Sequence, residues 1–500
     1  MENQKYLFQL SDDNLLSFSF QKNKEDELIP SLNLYEKNQS AGEFKKQQNI
    51  KETLIEFPVA NSFYLFNKNN DLNHLNREEF KSFIELMQKN YNFEISEQEF
   101  SKKDFEKISE NIDVKEFESK DNVRIVDVDH KLIMPGVIDV HTHMREPGIT
   151  YKEDFGTGSR ACAKAGVTTF YDMPNTIPTT TTLESLQEKK KLASEKSIVN
   201  FGLHFGGSKN DNVEEIKKVL KNGEANTVKI FMNVTTGEML IEDDEILKKV
   251  FENSKLVLVH AEHEMIDKAI ELNKNYGKGL YVCHIPSAEE LKKVINAKKD
   301  GNLNTEKHPV YAEVTPHHLF LNTEIRESTE RNKMLLRMKP ELREKSDNEF
   351  LWEAINRGEV DTIGTDHAPH LIKEKLEKVT FGMPGVETSL ALMINAYNKG
   401  KISLEMIQKL MCENPAKIMK ILKRGKLQEG YFADIIVVDT KKEWIVGIDD
   451  TIESKCGWTP YENWKLKGKN TMTIVNGKIV YENGKIQENV KNGKEIEFYN

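Results

Sequence analysis

The chain holds 13 histidines in 500 residues, and the placement of four of them is the first sign of chemistry. His141 and His143 stand two apart at the end of the apolar run IMPGVIDVH. If that run is a strand, period-two alternation turns both imidazoles to one face. Taken alone, such a pair is more often two surface histidines than two ligands. His260 closes KLVLVHAE, His284 closes LYVCHI, and Asp366 closes VDTIGTD, each behind apolar residues and ahead of loop residues. Imidazole and carboxylate are the donors that suit zinc, so zinc is the expected metal. Lys229 lies inside another apolar run, TVKIFM. An ammonium facing a barrel interior is costly to desolvate unless it snorkels to water, is paired, or is modified. A buried neutral lysine can add carbon dioxide, and the two oxygens of the carbamate can bridge two cations. The chemistry expected is therefore a binuclear centre: His141, His143 and Asp366 on one metal, His260 and His284 on the other, carbamylated Lys229 between them, and room for a bridging hydroxide.

Ligands so far apart in sequence must be brought together by the fold. From residue 123 onward, eight short apolar runs alternate with charged helical stretches: IMPGVIDVH, GVTTFYDM, SIVNFGLHF, TVKIFM, KLVLVHAE, LYVCHI, HPVYAEV and VDTIGTD. That alternation predicts an α/β chain with a (β/α)8 TIM-type barrel over residues 123–430, whose site gathers at the carboxyl ends of the strands. Chance would scatter ligand-type residues over both ends, so the joint pattern is strong where each member is weak. After about residue 430, YFADIIVVD and MTIVNGKIVYENGK return to period-two alternation with an Asn-Gly turn signal. They predict a small appended β-sheet domain over residues 431–500.

Residues 1–122 differ in kind, with Gly42 as their one glycine and Pro30 and Pro58 as their two prolines. KYLFQL, LLSFSF and TLIEF read as short strands, and EEFKSFIELMQKNY spaces Phe80, Phe83, Ile84 and Met87 as an amphipathic helix would. This α+β extension carries no motif, which favours a surface or packing role.

Lys plus Arg number 71 against 81 Asp plus Glu, a net charge of −10 with no basic block, so nucleic acid is a poor partner. No apolar run approaches the ~18 residues of a membrane helix, and the start MENQKYLFQLSDDN has no signal-peptide pattern; a cytoplasmic protein is expected. Cys162, Cys283, Cys412 and Cys456 form no CxxC and read as ordinary reduced thiols.

From about Arg124 to Ile486 the chain resembles the amidohydrolase superfamily and, more narrowly, the dihydroorotase family. The segments that carry the resemblance are MPGVIDVHTHMREPG, DMPNTIP, VKIFMNVTTG, VHAE, VCHI, AEVTPHHLFL, IGTDHAPH and FGMPGVETSL. VKIFMNVTTG looks like the form with a carbamylated lysine. The resemblance implies that Arg145 and Asn175 hold a substrate carboxylate, assisted by His370 in the loop after the eighth strand. Arginine suits that task because its planar fork binds a carboxylate through two parallel hydrogen bonds. Glu313 matches a carboxylate that approaches the metals, or serves as a hydrogen-bond acceptor behind a ligand. Thr235 matches a lid-loop threonine. In RMKPELR, Lys339 stands where related chains carry arginine or asparagine, which leaves open whether Arg337, Lys339 or Arg343 approaches the substrate ring.

The reaction implied is reversible hydrolysis of dihydroorotate to N-carbamoyl-L-aspartate in de novo pyrimidine biosynthesis. Metal-activated hydroxide would attack, and Asp366 would serve as general base and then general acid. The rivals are an allantoinase, a dihydropyrimidinase, and a dihydroorotase-like scaffold for aspartate transcarbamoylase. Arg145 with Asn175 argues against the first two, whose substrates carry no carboxylate, and the full ligand set argues against the third. A homodimer and an association with aspartate transcarbamoylase are the protein partners expected.

Overall fold

Gly136 marks the point where the chain leaves one sheet for another. The segment Leu132–Pro135 pairs antiparallel with Ile435–Ile445, whereas Val137–Thr142 opens a parallel barrel. The run IMPGVIDVH is thus two strands rather than one. A Cβ at residue 136 would come 2.0 Å from Thr168 Oγ1, so only glycine lets the two backbones approach this closely.

The computed structural model describes residues 128–500 apart from 235–238, 301–306, 429, 488–489 and 500, and only backbone strands within the first 127 residues. The chain divides into two units, Met1–Asp127 and Val128–Asn500. In the first, Lys5–Ser11, Asn14–Lys22, Leu28–Asn38 and Glu43–Lys46 form an antiparallel sheet in that order, and Phe63–Phe66 pairs with Leu72–Leu75. The expected strands KYLFQL and LLSFSF are the first two of that sheet, with Leu7 opposite Ser17. TLIEF and the helix expected at EEFKSFIELMQKNY lie outside the described residues.

The second unit contains all eight expected barrel strands: β1 Val137–Thr142, β2 Val167–Asp172, β3 Asn200–Leu203, β4 Val228–Phe231, β5 Val257–His260, β6 Leu280–Val282, β7 Val310–Val314 and β8 Thr362–Ile363. Neighbours run parallel throughout. β3 pairs with β2 and then breaks at His204, and the following Phe205–Gly206 pairs with β4. His204 bridges the break from inside, with Nε2 2.9 Å from Val140 O and Nδ1 2.7 Å from Thr227 Oγ1. The ring closes where Thr142 bridges His367 and the Thr365 amide donates to Asp139 Oδ1 at 3.0 Å. Most strands are buried on both faces, which is why they read as continuous apolar runs.

Helices cover the barrel, and their ends follow local chemistry. Phe155–Ala165 starts at a capping box in which Asp154 accepts from the Thr157 amide, and it stops at Gly166 with φ 86°. Val213–Lys221 buries Val213, Ile216 and Val219, three residues apart, against the core.

The appended sheet comprises Leu132–Pro135, β9 Ile435–Ile445, β10 Lys465–Val475, β11 Lys478–Glu482 and the short Lys485–Ile486. The β10–β11 turn is Asn476-Gly477 with φ 47° and 79°, the paired positive values that a two-residue hairpin with an Asn-Gly signal requires. The buried ion pair Arg424–Asp434 ties this sheet to the barrel, since Asp434 also accepts from Asn200 in β3 at 3.0 Å and from the Asn476 amide at 2.8 Å. Among the described residues no helix is long and apolar enough to cross a membrane.

Candidate active site

Five strand ends converge on one pocket. His141 lies in β1 and His143 just past it, Lys229 in β4, His260 at the end of β5, His284 after β6 and Asp366 after β8. These six side chains, with Arg145 and Asn175, line a pocket completed by Phe231, Lys339, Ala368, Phe381 and Gly382. Asp366 Oδ1 lies 2.9 Å from His143 Nε2 and 3.3 Å from His141 Nε2. His260 Nδ1 is 2.9 Å from His284 Nε2. Arg145, His284 and Asp366 have φ of 61°, 39° and 46°. Left-handed backbone at three non-glycine residues is strain concentrated where the chain turns off a strand end and aims a side chain at the pocket.

The electrostatics favour ligation. Burial pulls His143 down to about 4, His260 below its ordinary value and His284 far below it, leaving neutral imidazoles with lone pairs to give. Burial opposes the charge on Asp366, but His141 and His143 beside it hold its carboxyl well below the usual range. His141 differs: burial works against its charge, yet Glu313 and then Asp366 hold it well above the ordinary value. Donor atoms of His141, His284 and Asp366 lie within 4.8 Å of one another, and the buried Nδ1 of His284 has no hydrogen-bond partner. A buried nitrogen left unpaired in a cluster of imidazoles and a carboxylate fits a divalent cation.

Lys229 is fully buried, so it does not snorkel to water. Its Nζ lies 3.0 Å from Cys283 Sγ and 5.1 Å from the centre of the Phe231 ring. No carboxylate pairs with it among the described residues. Cys283 is a buried free thiol, and its sulfur also lies within 4.8 Å of donor atoms of His141 and Glu313. Reading it as an ordinary thiol missed this placement, and the only local signal was its position next to His284.

Glu313, in β7, stands behind the pocket rather than in its wall. Its Oε1 takes His141 Nδ1 at 2.7 Å and the His284 amide at 2.8 Å, and its Oε2 takes the Tyr281 hydroxyl at 2.8 Å. Asn175 Oδ1 lies 2.8 Å from His143 Nδ1, so this residue touches the ligand as well as the pocket. Arg145 donates from Nε to Pro369 O at 3.2 Å and places Nη2 3.3 Å from His370 Nε2. Burial, with Arg145 and Lys152 nearby, pulls His370 down to about 2. The neutral ring accepts from Lys152 through Nδ1 at 3.0 Å and donates through Nε2 to Phe381 O at 3.0 Å. With Nε2 donating to Phe381 O, His370 lies beside Arg145 without accepting from it, and it does not itself line the pocket. Thr235 lies outside the described residues. Of the three basic candidates, only Lys339 faces the pocket. Arg343 reaches toward Glu290 at 3.8 Å, and Arg337 contributes its carbonyl to the Gly382 amide at 3.0 Å.

A parallel barrel with imidazole, lysine and aspartate at its strand ends defines the class. The chain belongs to the amidohydrolase family, and the sequence model of the Amidohydrolase family matches residues 132–480. It is 35% identical over 405 residues to the dihydroorotase of Methanosphaera stadtmanae, covering 73% of this chain and 89% of that one. To the dihydroorotase of Pyrococcus horikoshii it is 38% identical over 373 residues, 71% of this chain and 82% of the relative. Within the amidohydrolases, these relatives make it a member of the dihydroorotase family. Among solved structures, L-hydantoinase (dihydropyrimidinase) from Arthrobacter aurescens is similar, with a TM-score of 0.70 and 28% identity over 76% of this chain and 92% of that one.

Proposed function

We propose that this pocket catalyses the reversible hydrolysis of dihydroorotate to N-carbamoyl-L-aspartate. The observation that carries the reading is Arg145, which is buried in the pocket wall and pairs with no carboxylate among the described residues. A buried guanidinium with an unfilled fork matches a substrate that brings its own carboxylate. Dihydrouracil and allantoin have none, which separates this reading from that of a hydantoinase-like enzyme.

Arg145, Asn175 and Lys339 bind and orient the substrate carboxylate at one end of the pocket, with the ring toward His141 and Asp366. Two divalent cations, held by His141, His143 and Asp366 and by His260 and His284 with carbamylated Lys229 between them, would lower the pKa of a bound water from ~15.7 toward ~7 and polarise the scissile carbonyl. Carbamylation adds carbon dioxide to the neutral Lys229 amine and releases one proton, which turns a cation into an anion. That change suits a fully buried lysine with no carboxylate partner. Asp366, a carboxylate by virtue of its histidine neighbours, accepts the proton of the attacking water and delivers it to the ring nitrogen as the C–N bond breaks. In cyclisation the same group first takes a proton from the carbamoyl nitrogen.

The test is metal analysis of purified protein joined to assays in both directions. Metal-loaded protein that turns over dihydrouracil or allantoin faster than dihydroorotate would overturn the substrate assignment.

A further inference from the structure

Lys375 is a buried lysine outside the catalytic cluster, and the mechanism above does not use it. It sits in the short helix Ile372–Glu377 that follows β8, has no exposed surface, and pairs with no carboxylate among the described residues. Its Nζ instead lies 2.6 Å from Arg337 O, 3.1 Å from Thr380 O and 2.9 Å from Gly382 O. An ammonium has three hydrogens, and three carbonyls from two separate segments receive them. Burial, with Arg337 and Arg145 nearby, pulls this amine down to about 7, and three carbonyl acceptors within hydrogen-bond distance favour the protonated form.

The segments joined in this way carry substrate-facing residues. Arg337 precedes Lys339 by two positions, and Thr380 and Gly382 flank Phe381; Lys339, Phe381 and Gly382 all line the pocket. The Gly382 amide adds a direct link to Arg337 O at 3.0 Å, and Lys339 Nζ lies 5.6 Å from the centre of the Phe381 ring. Gly382 has φ 126°, and a Cβ there would meet Ala368 Cβ at 2.8 Å, so the wall is also tight against the loop after β8. The Phe381 carbonyl accepts from His370, whose ring lies next to Arg145. One ammonium thus sits where the Lys339 segment and the Phe381 segment meet.

We propose that Lys375 is a positioning residue for substrate affinity, clamping the 337–339 and 380–382 segments so that Lys339 and Phe381 present a preformed wall to the carboxylate-bearing substrate. The proposal rests on the reading of the pocket as a dihydroorotate site. Lys375 touches neither the metal ligands nor Asp366, so its loss acts on binding and spares the chemical step.

The experiment compares Lys375→Met and Lys375→Ala with the wild type, all metal-loaded. Lys375→Met is expected to raise KM for dihydroorotate ~10-fold or more, with kcat and metal content little changed. Propylammonium, which replaces the atoms removed in Lys375→Ala, is expected to lower the KM of that variant and to do nothing for Lys375→Met. Amide hydrogen exchange at Gly382 is expected to speed up in both. An unchanged KM, or a loss confined to kcat, overturns the proposal, as does unaltered exchange at Gly382. If Lys375→Met fails to fold, Lys375→Gln keeps two of the three donors and should give an intermediate KM; a wild-type KM there overturns the clamp equally. Exchange at Gly382 needs no substrate. A wild-type protein inactive on dihydroorotate would therefore sink the functional reading, while the exchange comparison would still decide the role of Lys375.

Discussion

His141 Nδ1 lies 2.7 Å from Glu313 Oε1, and this contact leaves His141 Nε2 aimed at Asp366, 3.3 Å away. Glu313 spends its other capacity on the Tyr281 hydroxyl and the His284 amide, so one carboxylate from β7 ties β1 to β6 and the residue after it. Outer partners of this kind hold a ligand imidazole in the tautomer and orientation that a metal needs.

Replacing Glu313 with Ala should therefore weaken metal binding by about 10- to 100-fold, the usual cost of removing such a partner. Titration against a chelator of known affinity reads this directly. Unchanged affinity in a folded Glu313→Ala protein would mean that His141 needs no orienting group.

Asp366→Asn should lower turnover by ~10² or more in both directions, because an amide neither takes nor returns the proton. Circular dichroism should report an unaltered fold. Near-normal turnover with metals bound would remove Asp366 from the proton path.

Lys229→Ala should lower the metal content from two cations per chain and abolish activity, and the wild-type apoprotein should need bicarbonate for full reactivation. Elemental analysis and reactivation with and without carbon dioxide check both. Full metal content and activity in the alanine variant would rule out a bridging carbamate.

Arg145→Met should collapse activity on dihydroorotate and leave metal content as it was, since the arginine touches His370 and Pro369 rather than a ligand. A buried fork left without its carboxylate is the reason neutral rings should be poor substrates of the wild type. Kinetics on dihydroorotate, dihydrouracil and allantoin decide the matter, and intact dihydroorotate turnover in Arg145→Met would refute it.

Asp172 and Lys189 form a fully buried ion pair at 2.6 Å, and Asp172 also accepts from the Met144 amide at 2.5 Å, one residue before Arg145. Lys189→Met leaves that carboxylate buried without its cation and should cost about 3–5 kcal/mol of stability. Denaturant unfolding of the variant gives the figure, and a loss under ~1 kcal/mol would show that the charge is relieved in another way.

Much of this site is legible in one dimension because its causes are local. A barrel strand buried on both faces must be apolar along its length, so the eight runs announce themselves, and the architecture sends whatever ends them to a common face. That logic reaches His141, His143, His260, His284, Asp366 and Lys229 without a structure. The Asn476-Gly477 turn is equally local, because the hairpin demands positive φ at both positions. Other features exist only once the chain has folded. Gly136 separates two sheets because Thr168 from β2 packs against it, which nothing in IMPGVIDVH reveals. Cys283 becomes a neighbour of Lys229 and His141 across the interior of the barrel, where non-adjacent strands face one another, not through its own surroundings in sequence. Lys339, rather than Arg337 or Arg343, faces the pocket, and Lys375 hydrogen-bonds its segment to the one that carries Phe381. Composition and periodicity specify which residues sit at strand ends, since each strand obeys its own burial. Which loop side chains meet across the mouth of the barrel is decided by contacts between segments some 40 residues apart, whose closure entropy is repaid only when the whole ring has formed.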